Sequence, residues 1–147
     1  MSHRPDGFTT LTPNLTIDGA SDAIAHYQEA LGARLDFRLD DPGTGLVLHA
    51  VMDIGESKFF IQDVQPGFPG PDVVGAPVSF YLYVPDADEA FDTACAAGMT
   101  EVLKPEDMFW GDRMARAKDP YGYTWTFATK VADVEPDAIA EAVKANP

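Results

Sequence analysis

Eight side chains in this sequence carry chemistry at a spacing that could bring them together. His49 is the one histidine placed inside a strand-like run, with Asp53 on the same side. A neutral imidazole there could serve as a general base, because its pKa lies near operating pH; the alternative is a structural histidine. Phe60 and Gln62 share one side of the next run, and Asn14 lies on the polar side of an earlier one. Tyr81 and Tyr83 sit two apart and could each donate a hydrogen bond to a substrate oxygen, or simply line a wall. Tyr83 is, with His49, the candidate for handling a proton. Trp110 could stack on a planar ligand. Arg113 could grip a carboxylate or phosphate through two N–H groups. Its other reading is a bridge to Asp112 or Glu106 that holds the 105–113 segment as a loop, turning at Gly111.

Strands must carry most of these residues. Leu11, Leu15 and Ile17 alternate with Thr12, Asn14 and Thr16, which predicts a half-buried strand. Ser21 is the expected N-cap of a helix over 20–31, with Ala23, Ile24, Tyr27 and Leu31 on one face and Gly32 as its stop. Strands are expected at 35–39, 46–54 and 58–62. The stretch 64–77, rich in proline and glycine, reads as a linker. The order then repeats. A strand over 78–84 leads to a helix from Asp86 that stops at Gly98, and strands follow at 101–103, 113–118 and 123–129. Asp119-Pro120-Tyr121-Gly122 is the turn between the last two. Pro136, Ile139 and Val143 predict a short C-terminal helix. The fold class is therefore α+β: two β-α-β-β-β modules, about 10–63 and 78–130, with a tail from 131. Their strands form a curved mixed sheet around a cleft, with the helices outside.

Composition narrows the partners. The 147 residues hold 10 basic and 24 acidic side chains, a net charge of −14. Nothing in that balance would neutralise nucleic-acid phosphates or seek anionic lipid. It would attract a cationic molecule if the acids lined the cleft; on the outer helices they would serve solubility. The single cysteine, Cys95, excludes an intrachain disulfide and reads as a small buried hydrophobe. With no run of about 20 apolar residues and no leader pattern, a cytoplasmic setting is expected.

The segments HYQEALGA, FYLYVPDADEAF and KDPYGYTWTFAT resemble the vicinal oxygen chelate superfamily of glyoxalases, bleomycin-resistance proteins and extradiol dioxygenases. PEDMFWGDRMARAKDPYGYTWTFATK is similar to its PhnB-like branch. The resemblance implies a pocket closed by a sheet from each half, usually in a homodimer. In metal-dependent members it also implies a divalent ion held by His, Glu or Gln. The ligand positions fall here on Thr12, Gln62, Ser79 and Thr126. Hydroxyls are poor ligands for Zn²⁺ or Ni²⁺, so neither a metal site nor any other cofactor is expected. The expected function is binding of a small organic molecule, with either metal-independent lyase or isomerase chemistry or plain sequestration.

Overall fold

A computed structural model describes residues 3–67, 69–71 and 76–145. The chain divides into two compact units, Met1–Gly75 and Ala76–Pro147. Each holds one β-α-β-β-β module built on a four-stranded open sheet. In the first, β1 (Asn14–Ile17), α1 (Ala20–Leu31), β2 (Arg34–Asp40), β3 (Val47–Ile54) and β4 (Ser57–Asp63) give the strand order β1-β4-β3-β2. In the second, β5 (Ser79–Tyr83), α2 (Ala87–Ala96), β6 (Thr100–Asp107), β7 (Asp112–Lys118) and β8 (Thr124–Lys130) give β5-β8-β7-β6. The first strand of each module pairs parallel to the last, and the other pairs are antiparallel. α3 (Pro136–Ala145) follows. This is the α+β class expected from the repeated pattern.

Period-two alternation gives each sheet one face to bury. In the first unit Leu15, Ile17, Val47, Ala50, Met52, Phe59 and Ile61 join Ala20, Ala23, Ile24, Tyr27 and Ala30 of α1 in the core. In the second, Trp125 and Phe127 of β8 and Ala115 and Ala117 of β7 join Ala87, Phe91 and Ala94 of α2. Among the described residues, α1 packs on the first sheet and α2 on the second, which leaves the opposite face of each sheet open.

Buried carboxylates replace several local signals. The start of α1 is organised by Asp63, not by Ser21. Asp63 accepts from the N–H groups of Gly19 (3.2 Å), Ala20 (2.9 Å) and Val47 (2.7 Å). Ser21 is exposed one residue inside the helix and makes no cap bond. A distant acid at the end of β4 takes the Gly19 and Ala20 amides at the helix start, ahead of the N2 and N3 amides that a local cap side chain reaches. In α2 the cap is local, and Asp86 accepts from Glu89 N–H at 3.1 Å. In the 119–122 turn Asp119 accepts from Tyr121 and Tyr123 N–H, both at 2.9 Å, and from Trp125 Nε1 at 2.8 Å.

Other expectations are corrected at element ends. Leu11 is 83% exposed, and the first strand begins only at Asn14, so Thr12 lies before it. β6 runs through Pro105 to Asp107, with register shifts against β7. Glu106 and Asp107 are thus strand residues, and only 108–111 remains a loop. Cys95 is half-buried, and desolvation together with the charges of Glu101 and Asp92 raises its thiol pKa. That favours the unreactive protonated form. No helix among the described residues is long and apolar enough to cross a membrane.

Candidate functional site

In the first unit the open face holds His49, Phe60, Asn14, Gln62 and Thr16. β1 and β4 are in parallel register with Asn14 opposite Phe60 and Thr16 opposite Gln62. The Gln62 Nε2–H donates to Thr16 Oγ1 at 3.0 Å. The imidazole of His49 meets Phe60 edge-on, with ring centroids 4.6 Å apart. The N-terminal segment crosses this face. Phe8 stacks obliquely on Phe60 at 5.8 Å, and the Lys58 ammonium lies 5.2 Å from the Phe8 ring while pairing with Asp53 at 2.7 Å. Between segment and sheet is a cavity of about 430 Å³, lined by His49, Phe60, Val51, Phe8, Thr12 and His3 among others. His3, far from His49 in sequence, is brought by the chain crossing to the same lining.

In the second unit the open face holds a second cluster. Asp112 is only 5% exposed. Its Oδ2 accepts from Tyr81 Oη at 2.6 Å, Tyr83 Oη at 3.1 Å and Trp110 Nε1 at 3.3 Å. Trp110 Nε1 also lies 3.4 Å from Tyr81 Oη. The two phenol rings are 5.5 Å apart, and Tyr81 and Tyr83 are 43% and 68% exposed. Desolvation and the bond to Asp112 raise the Tyr81 pKa; for Tyr83 the bond to Asp112 is the larger cause. Both phenols therefore stay protonated at neutral pH, each with its proton directed at the carboxylate. Asp112 escaped sequence reasoning as more than a possible partner of Arg113. The signal available was its parity with Met114 on β7.

Arg113 is not on this face. Its Nε and Nη2 donate to Asp88 of α2 at 2.7 and 3.0 Å, and Nη1 to Asp107 at 3.1 Å. These acids hold its guanidinium protonated, with the pKa pushed up, and the Asp88 carboxyl is correspondingly lowered. The expected bridges to Asp112 or Glu106 are replaced by bonds to Asp88 and Asp107, because Arg113 points to the helix side of β7. The arginine on the open side is Arg116, whose Nε donates to Thr126 Oγ1 at 3.2 Å. Three residues along a strand reverse the face, so the two arginines bond on opposite sides of the sheet.

The model of the Glyoxalase/Bleomycin resistance protein/Dioxygenase superfamily matches residues 10–127. The chain belongs to that superfamily. An uncharacterised Mycobacterium bovis protein is 34% identical over 139 residues, covering 90% of this chain and 91% of its own. An Arabidopsis thaliana gene product of known X-ray structure is 29% identical, with TM-score 0.65 over 82% of this chain and 96% of its own. TioX from Micromonospora is 24% identical, with TM-score 0.67 over 84% of this chain and 99% of its own, a likeness of fold.

Metal-dependent members of the superfamily raise the question of a divalent ion. The donors do not fit one. Thr12, Ser79 and Thr126 offer neutral hydroxyls, and Gln62 offers a single neutral amide oxygen, its Nε2–H donating to Thr16. The Arg116 guanidinium, bonded to Thr126 Oγ1, sets a positive charge at one of the four positions. In the second unit a cation at Thr126 would meet the Arg116 charge, and among the described residues no group of three or more His, Cys, Asp or Glu could hold a metal ion.

Proposed function

We propose that this superfamily member binds a small organic molecule on the open faces of its sheets, in the first unit within the His49–Phe60 cavity. The cavity carries this reading. Its volume of about 430 Å³ falls within the roughly 300–1,000 Å³ usual for small-ligand pockets. Its lining mixes aromatic rings with hydroxyls and imidazoles, which fix orientation without closing the site to apolar groups. On the second unit Tyr81, Tyr83 and Trp110 form the matching aromatic surface. On the first unit's face Phe60 supplies stacking area and Asn14 and Gln62 supply amide groups for polar contacts; on the second unit's face Trp110 supplies stacking area. Arg113 takes no part, since both of its partners are acids of its own unit.

Binding without turnover is the principal reading. The phenol proton of Tyr83 is committed to Asp112, and that bond raises its pKa, so it is a poor base. One observation favours a second reading as a metal-independent lyase or isomerase: His49 and His3 line the same cavity, and an imidazole there could move a proton. The superfamily's own description spans catalysts and resistance proteins. Incubation with candidate compounds, followed by mass spectrometry, separates the readings. Recovery of the bound compound intact is expected. Turnover abolished by His49→Ala would replace the binding reading with the catalytic one.

We also propose that the chain forms a homodimer. Phe37 and Leu39 of the edge strand β2 are 50% and 49% exposed, an apolar row that a second copy could cover.

A further inference from the structure

We infer that Arg116 is an anion-holding residue, and that the ligand of the second unit carries a carboxylate or another oxyanion. The inference rests on the reading of this face as a ligand surface. A guanidinium has five N–H donors. Arg116 uses one, on Thr126, and no other hydrogen bond or ion pair engages it among the described residues. Arg34, Arg38 and Arg113 each meet a carboxylate, as expected in a chain with 24 acids and 10 bases. Leaving a half-buried arginine without one is therefore a departure. A partly desolvated charge is costly unless something pairs with it.

The surroundings complete the site. β7 alternates so that Asp112, Met114 and Arg116 contact open-face residues, and Lys118 follows at the same parity. Lys118 also makes no ion pair among the described residues and lies opposite Thr124 in register. Thr126 and Tyr81 are register partners, as are Thr124 and Ser79. The basic end of the face thus has two cations beside a row of hydroxyls, and the aromatic end has Asp112. Four residues of strand separate Asp112 from Arg116, about 13 Å at roughly 3.3 Å per residue, too far for them to pair.

The net charge of −14 opposes an anion only at long range, since salt screens charges beyond about 8 Å at physiological ionic strength. At contact the fixed guanidinium decides, because its fork matches two oxygens of one carboxylate. Where metal-dependent relatives would set a divalent ion to hold substrate oxygens, this chain sets a guanidinium against Thr126.

The test uses two probes of one shape, benzoate and benzamide, on the full chain. Binding is followed through the Arg116 Nε–H resonance and the backbone amides by ¹H–¹⁵N NMR. Benzoate is expected to bind about tenfold more tightly than benzamide, to shift the Arg116 resonance, and to fall to the benzamide level in Arg116→Gln. Arg116→Lys, which keeps charge but not the fork, should restore part of the difference, and Lys118→Met should lose part of it. Equal binding of the two probes, or benzoate binding unchanged in Arg116→Gln, overturns the anion assignment while leaving the face a ligand surface. Binding by neither probe overturns that face as a ligand surface and the assignment with it.

Discussion

Asp112 concentrates more hydrogen bonds than any other open-face residue described. Three donors converge on one oxygen, so its loss strands two phenols and an indole. Asp112→Ala is expected to lower stability by about 1–3 kcal/mol, measured by denaturant unfolding. The tyrosines add a pH signature. Their pKa values are raised in the folded protein, so the stabilisation is complete below the unfolded value near 10. It is lost as pH rises through the folded one. Tyr81→Phe/Tyr83→Phe should flatten the fall in unfolding midpoint above about pH 10; an unchanged alkaline limb would contradict the linkage. Arg113 and Arg116 give a paired prediction. Arg113→Ala should change the unfolding midpoint little, because its bonds to Asp88 and Asp107 are solvent-screened, and leave ligand binding unchanged. The candidate residues could be read by type from the sequence, but an arginine's face depends on where its strand starts. Reading Arg113 as the end of a loop leaves its face undefined, whereas β7 starts at Asp112 and turns it toward Asp88 of α2.

At the scale of elements the alternation in β3, β4, β5 and β8 and the span of α1 were legible, because burying one face imposes a period that sequence displays directly. The ends were less so. Leu11 continues the pattern of the first strand, yet β1 starts at Asn14, where pairing with β4 begins. Ser21 looks like a cap, yet Asp63 takes the Gly19 and Ala20 amides from 44 and 43 residues along the chain. Long-range carboxylates leave no local trace. Asp63→Ala should therefore destabilise by about 3 kcal/mol or more, since three backbone donors lose one buried acceptor, while Ser21→Ala should change stability by less than about 0.5 kcal/mol. Gly111 offers a second test. Its φ is +105°, and a Cβ would run into the Ala132 carbonyl. Gly111→Ala should lose about 3 kcal/mol or more, and thermal unfolding reads all three variants.

At the scale of the whole molecule the acid excess lies largely outside the candidate sites. Asp22 and Glu29 on α1, Glu89 and Asp92 on α2, and Asp137 and Glu141 on α3 are all exposed. The charge then serves solubility, and attraction of a cationic drug loses its main support. Self-repulsion among these acids should make the protein more stable as salt rises from about 10 to 150 mM, which thermal unfolding across that range checks. Light scattering tests the proposed homodimer. Twice the chain mass is expected, falling to a monomer in Phe37→Glu, and a monomeric wild type contradicts the proposal. The central claim is that the open sheet faces, not the helix-covered ones, receive a small molecule. Chemical-shift mapping with a set of small aromatic compounds tests it most directly. Perturbations gathered on residues around His49 and Phe60, and around Tyr81, Trp110 and Thr126, are the predicted result. Perturbations confined to α1 and α2, or none with any compound, would contradict it.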